Sequence, residues 1–258
     1  MKTLLTAVSL LTFATTTGNL ASFLNSTIQK NNITTNYIQN KTQQDTIYID
    51  KDGKQITTSE KDLSKINSKE IIQIGFYKNI LGEIQVVRMP RTIEKVPDKL
   101  PPEITSLKNM FTGATSFNQD LSTWDTSNIT NMNFTFNGAT SLNSNITNWN
   151  VSNVKSTFVM FANATSFNQD LSTWNVSNIN RFSLMFYGAT SFNQNISNWI
   201  TSNAVYMNFM FYGAKKFNQD LSKWNVNKVR EHSNFANYSG ITNPNKLPKF
   251  KNNIITIY

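Results

Sequence analysis

The chain has no cysteine in its 258 residues. Disulfides, thiolate metal sites, cysteine nucleophiles and a lipid-bearing N-terminal cysteine are therefore excluded. There is a single histidine, His232. A Ser-His-Asp arrangement would have to use it, and no nucleophile motif surrounds any serine. Acidic residues are scarce: 15 Asp and Glu stand against 24 Lys and Arg, for a net charge of +9. Between Ile104 and Lys228 the only acids are Asp120, Asp125, Asp170 and Asp220. Asp120, Asp170 and Asp220 recur at a fixed interval and read as structural, so neither paired carboxylates for hydrolysis nor a calcium cage is expected. The basic residues of the same stretch, such as Lys108, Lys155, Arg181 and Lys228, are scattered rather than clustered. A phosphate-binding footprint needs clustered charge, so no nucleic-acid partner is expected. Past the N-terminus no apolar run is long enough to span a membrane.

Asparagine, lysine, isoleucine and aromatics are plentiful, with 18 Phe and 5 Trp. Lys2 precedes an apolar stretch from Leu4 to Ala14 and then small, polar residues, which reads as an export signal over residues 1–21, either cleaved or kept as a signal anchor. Residues 22–44 are rich in Asn, Thr and Gln and read as a flexible spacer. Residues 45–103 read as a small β-rich cap. Ile47-Tyr48-Ile49 and Ile56 flank an Asp52-Gly53 hairpin turn, Ser59–Ile66 reads as a short helix, and Ile72, Ile74, Phe76, Ile84 and Val86 alternate about an Asn79–Gly82 turn.

The strongest feature is a repeat over residues 104–228. Trp124, Trp149, Trp174, Trp199 and Trp224 are spaced by 25 residues and include every tryptophan of the protein. Phe111, Phe136, Phe161, Phe186 and Phe211 keep the same interval, as do Asn118, Asn143, Asn168, Asn193 and Asn218. Within a unit, Ile129, Met132, Phe136 and Ala139 are spaced three, four and three, which predicts one face of a helix. Ser127 and its equivalents stand where an N-cap belongs. Gly138, Gly188, Gly213 and Asn163 stand where a left-handed residue ends a helix. Leu121–Trp124 and its equivalents predict a short strand, one per unit, pairing in parallel. The expected fold is thus an α/β, leucine-rich-repeat-like solenoid of 25-residue repeats, with a short parallel strand plus a helix in each, preceded by the β-rich N-terminal region. An all-helical solenoid is the alternative. The Trp and Phe rows are expected as core ladders and the Asn row as inward-facing amides that hydrogen-bond along the coil. Residues 229–258 read as a C-terminal cap and tail.

The segment MFTGATSFNQDLSTWDTSNITNM (Met110–Met132) resembles the repeat of BspA-like leucine-rich-repeat surface proteins, in the branch abundant in mycoplasmas. Ile74–Phe111 resembles the lead-in that precedes the repeats there. That resemblance implies an exported, extracellular or cell-surface protein that takes part in adhesion or host interaction, without catalysis and without a cofactor. Many such proteins carry a lipid-attachment cysteine after the signal, and this chain has none. Its expected partner is a protein or surface ligand of a host or neighbouring cell. Contact with a membrane is expected only through an uncleaved signal. A structural or antigenically variable coat role and a secreted hydrolase are the alternatives. The residues before each tryptophan, Thr123, Asn148, Thr173, Asn198 and Lys223, are the expected ligand-binding row, exposed beside the core ladder.

Overall fold

The computed structural model describes residues 41–251, so the expected signal and residues 22–40 of the expected spacer lie outside the described residues. Ahead of the repeats, six short strands make two antiparallel three-stranded sheets. β2 (Thr46–Ile49) pairs with β3 (Gln55–Thr58) across the turn in which Gly53 has φ 79°, and with β4 (Glu70–Gln73) on its other side. β5 (Phe76–Lys78) pairs with β6 (Ile84–Val86) and with β1 (Gln43–Gln44), two residues placed in the spacer by composition alone. Ser59–Ile66 is not a helix. Asp62 forms a parallel bridge with Arg88, and its carboxylate accepts the Ser64 amide at 2.8 Å.

The repeats stack, but their backbone is neither α/β nor helical. The described residues contain no α-helix and only one 3-10 turn, Pro244–Lys246; the protein is essentially all-β, with antiparallel sheets. Successive units touch through a row of single parallel bridges running Gln85, Ser106, Asn131, Ser156, Arg181, Tyr206, Glu231. This row starts inside the segment expected as a helix. The segment expected as a strand is a tight turn, in which the Trp124 amide reaches Leu121 O at 3.1 Å and both side chains point inward.

The reason is where alternate amides point. In the unit after Asn131, the N–H groups of Met132, Phe134, Phe136 and Gly138 donate to Ser156, Phe158, Met160 and Ala162 of the next unit. Those of Thr135, Asn137 and Ala139 close turns onto residues three back. A helix would point every amide along its own axis and leave none for the neighbour. The hand of the backbone reverses at Phe134 (φ 59°) and again at Gly138 (φ 71°), and the same two positions repeat at Val159 and Asn163, Leu184 and Gly188, Phe209 and Gly213. A left-handed non-glycine residue costs about 1–2 kcal/mol. At least four inter-unit backbone hydrogen bonds per unit, each worth about 1 kcal/mol net, offset that cost. The three-four-three spacing still marks the inward face: Ile129, Met132, Phe136 and Ala139 are all buried. Consecutive turns of three or four residues present the same periodicity as a helix, so spacing alone cannot separate them.

The core is a set of aromatic columns. Phe111, Phe136, Phe161, Phe186 and Phe211 stack at 5.4–5.7 Å between neighbours. Within a unit, Phe161 lies 4.1 Å from Phe167, and Phe186 lies 4.0 Å from Phe192. Every tryptophan is buried and donates its indole N–H to a carbonyl of the preceding turn of chain, from Trp149 to Leu121 at 3.0 Å and from Trp199 to Leu171 at 2.9 Å. One unit alone has no second surface to cover these rings; stacking supplies it, at about 1.5–3 kcal/mol per large side chain.

The left-handed glycines give a graded test. At Gly138 an added Cβ would meet only Gly113 Cα, at 3.8 Å, whereas at Gly188 it would collide with Asn163 Oδ1. Gly138→Ala is expected to cost about 1–2 kcal/mol from backbone conformation alone. Gly188→Ala is expected to cost more, because the Asn163 side chain must also move. Denaturant unfolding of the two variants checks the order, and equal losses would remove the packing part of the explanation.

At the C-terminal end, Leu221 N–H donates to Lys246 O at 2.8 Å and the Lys246 ammonium reaches Asn218 O and Oδ1 at 2.9 and 3.0 Å. That closes the asparagine side of the last unit. On the bridge side, from His232 to Tyr238, no further unit packs among the described residues.

Candidate functional site

The predicted row Thr123, Asn148, Thr173, Asn198 and Lys223 is exposed throughout, on tight turns rather than on a strand. Three of its members point their donors sideways into the stack. Thr123 Oγ1 donates to Asp98 O at 2.6 Å, Thr173 Oγ1 to Thr147 O at 2.9 Å, and Asn198 Nδ2 to Ser172 O at 2.8 Å. They tie each unit to the one before it. The sequence shows that this row is regular, but not that its regularity comes from a hydrogen-bonded ladder. Thr173→Val keeps the shape and deletes one donor. It is expected to lower stability by about 0.5–1.5 kcal/mol, measured as a shift in the denaturation midpoint, while leaving ligand binding unchanged.

Two asparagine rows do the same work. Asn118 Oδ1 accepts the Asn143 amide at 2.6 Å, and the pattern continues through Asn168, Asn193 and Asn218 at 2.9–3.0 Å. Asn128, Asn153, Asn178 and Asn203 each donate Nδ2 to a carbonyl one unit earlier, at 2.7–3.0 Å, and the Lys228 ammonium ends that row on Asn203 Oδ1. Both rows run along the outside of the stack, where the first was expected on the inward side: Asn118, Asn143, Asn193 and Asn218 are exposed, and so are Asn128 and its equivalents. The repeated serines cap no helix. Instead the amides of Ser127, Ser152 and Ser177 are received by Asp or Asn two residues earlier, at 2.9–3.2 Å, and in a second serine row the Ser222 amide is received by Asp220 at 2.9 Å. The Ser127 amide, with its hydroxyl, holds the Asp125 carboxyl below the usual range. The Ser222 hydroxyl and amide do the same for Asp220. A depressed carboxyl contributes stability above its unfolded pKa and loses it as pH falls through the folded value, so these turns weaken only in acid.

The bridge face behaves differently. Its residues change from unit to unit: Ser106, Asn131, Ser156, Arg181, Tyr206, Glu231 on the bridge itself, and Lys108, Asn133, Phe158, Ser183, Asn208, Ser233 two positions on. No two adjacent units share a residue in either row. The backbone here is fixed by inter-unit hydrogen bonds that need no particular side chain, so these positions are free to vary. The face carries exposed or half-buried aromatics: Tyr187 and Tyr212 stack at 5.2 Å, and Phe209 lies 5.7 Å from Tyr212. Arg181 lies 4.1 Å over the ring of Phe158. Among the described residues every ion pair falls between residues 51 and 95, so the cations of this face, Lys155, Arg181 and Arg230, face no carboxylate within pairing distance. This is the surface that sequence reading missed. Its signal was present as changing residue identity at fixed positions of an otherwise strict repeat.

His232 lies flat against Phe250, with ring centroids 4.1 Å apart. Among the described residues no three His, Asp or Glu side chains converge as a metal ligand set, and no helix is long and apolar enough to cross a membrane.

These features define a repeat protein of stacked 25-residue units, tied by polar rows on one side and variable on another. A family model described as "Mycoplasma protein of unknown function, DUF285" matches residues 98–183 and 159–250, which together span more than half of the chain. The chain belongs to that family. No curated protein and no solved structure matches it.

Proposed function

We propose that this protein is an exported, cell-surface binding module, without catalytic activity, that engages a ligand on a host or neighbouring cell through the bridge face of its repeat stack. The observation that carries the reading is the contrast between faces. The Trp, Phe, Asn and Thr rows repeat because packing and sideways hydrogen bonds hold them. The bridge rows vary and expose aromatics and, at Arg181, an unpaired arginine, the residue types enriched where protein surfaces bind. The repeat at Met110–Met132 supports a relation to BspA-like surface proteins, and the apolar stretch Leu4–Ala14 supports export.

The test uses the purified full chain on cultured animal cells. Wild-type protein is expected to bind, Arg181→Ser with Tyr206→Ser to lose binding, and Thr173→Val to retain it. Binding that survives the bridge-face substitutions places the ligand elsewhere. Protease treatment of intact cells that produce the protein is expected to remove it; full protection would contradict surface display.

A further inference from the structure

The bridge face is not uniform. Between the units that begin at Ser156 and Glu231 it opens into a groove of about 400 Å³, whose lining includes Phe158, Arg181, Tyr206, Asn208, Phe209 and Glu231. Three neighbouring units depart from the repeat here together. Phe158 comes from one, Arg181 from the next and Tyr206 from the third, and Arg occupies the bridge position in no other unit. The Arg181 guanidinium lies 4.1 Å from the Phe158 ring and 5.7 Å from the Tyr206 ring, while the residue itself remains exposed. Rings hold a guanidinium flat and leave its donor edge free for a carboxylate. No carboxylate pairs with it among the described residues. On the far side of the groove Glu231 accepts the Asn208 amide at 2.8 Å, and the Asn208 carbonyl oxygen is enclosed without a donor.

We propose that this groove is a subsite for a carboxylate-bearing sugar, such as a sialic or uronic acid residue at the end of a glycan; the proposal rests on the binding-module reading above. Arg181 takes the carboxylate, Tyr206 and Phe209 take the apolar face of the pyranose ring, and Glu231 with Asn208 takes its hydroxyls. An extended peptide fits less well. The amides of Phe182, Leu184, Met207 and Phe209 already donate to the next unit, so the floor of the groove has no free backbone edge for a strand to join. A doubly charged phosphate fits less well too, because Glu231 lies two units from Arg181, roughly 10 Å away at the spacing of neighbouring strands. The net charge of +9 favours an anionic ligand.

The experiment titrates the full chain, by saturation-transfer NMR and calorimetry, with the methyl α-glycoside of N-acetylneuraminic acid and with methyl glucuronide. Methyl galactoside and an acetylated Asp-Glu peptide are the controls. At least one acidic glycoside is expected to bind, and the one that binds identifies the source. Binding is expected to weaken about tenfold or more in Arg181→Gln and partially in Arg181→Lys, which keeps the charge but not the planar fork. It is expected to be unchanged in Thr173→Val, and melting curves confirm that each variant is folded. Equal binding of galactoside, tighter binding of the peptide, binding unaffected by Arg181→Gln, or no binding of either acidic glycoside overturns the proposal. The two readings fail separately. Cell binding that depends on the bridge face but is not inhibited by either acidic glycoside sinks the sugar subsite alone. Glycoside binding without cell binding sinks the adhesion reading alone.

Discussion

Trp199→Ala is expected to destabilise the protein by about 3–5 kcal/mol, the usual range for deleting a buried tryptophan. Trp199 is 4% exposed. Its ring lies 6.0 Å from Trp224 at an interplanar angle of 9°, 6.1 Å from Phe182 and 6.4 Å from Phe186, so it contacts its own unit and the next one. Its indole N–H satisfies Leu171 O at 2.9 Å, in the unit before. Alanine removes the ring from both interfaces and leaves that carbonyl without its donor. Trp199→Phe separates the two contributions: most of the packing stays and the hydrogen bond goes, for an expected loss of about 1–3 kcal/mol. Denaturant unfolding followed by circular dichroism reads both. In a stacked repeat the units are held chiefly by their neighbours, so a loss at one unit is felt by the whole cooperative transition. A Trp199→Ala loss below about 1 kcal/mol, far under the range for a buried aromatic, would show that the aromatic columns do not hold the units together.

Hydrogen exchange is expected to differ by roughly a thousandfold or more between two sets of amides at equivalent positions of adjacent units. That is the span between exposed amides and those released only by global opening at about 5 kcal/mol. The amides of Met207, Phe209, Phe211 and Gly213 donate to Glu231, Ser233, Phe235 and Asn237 of the last unit at 2.8–2.9 Å. Among the described residues, the equivalents 25 positions on, His232, Asn234, Ala236 and Tyr238, have no unit packed beyond them and donate to no protein acceptor. They border a hollow of about 500 Å³ at the end of the stack, floored by Phe235, Leu247 and Phe250. The two sets share backbone conformation, including left-handed residues at Phe209 and Asn234 and at Gly213 and Tyr238, so the next unit is the main difference between them. Residue-resolved exchange by NMR gives the comparison. Equal protection of both sets would mean that something covers the open end in solution.

Several features were legible in the residues themselves. Trp149, Phe161 and Ala164 are interior, as their rows required, because a large apolar side chain at a fixed interval has nowhere else to go once units stack. Gly138, Gly188, Gly213 and Asn163 are left-handed, since glycine and then asparagine tolerate that conformation best. The Asp52-Gly53 hairpin formed where its turn chemistry placed it. The helix from Ile129 to Ala139 did not form. Phe134, a residue with no sequence signal for positive φ, turns left-handed because the stack rewards sending alternate amides sideways. The hydrogen bonding of the expected ligand row was illegible for a related reason. Exposure of Thr123, Thr173 and Asn198 followed from alternation with the buried rings, but whether their donors face solvent or the neighbouring unit depends on a carbonyl about 25 residues earlier in the chain.

By itself, then, the sequence determined the interval, the identity of the inward rows and the positions where the chain could reverse its hand, because these depend on side-chain size, polarity and local backbone freedom. Only the tertiary structure decided that the units are runs of turns rather than helices and that one polar surface is spent on ladders. It alone brought Phe158, Arg181 and Tyr206 together around a groove. Those outcomes depend on hydrogen bonds and ring contacts between residues about 25 positions apart, and such partners exist only after the neighbouring unit has docked.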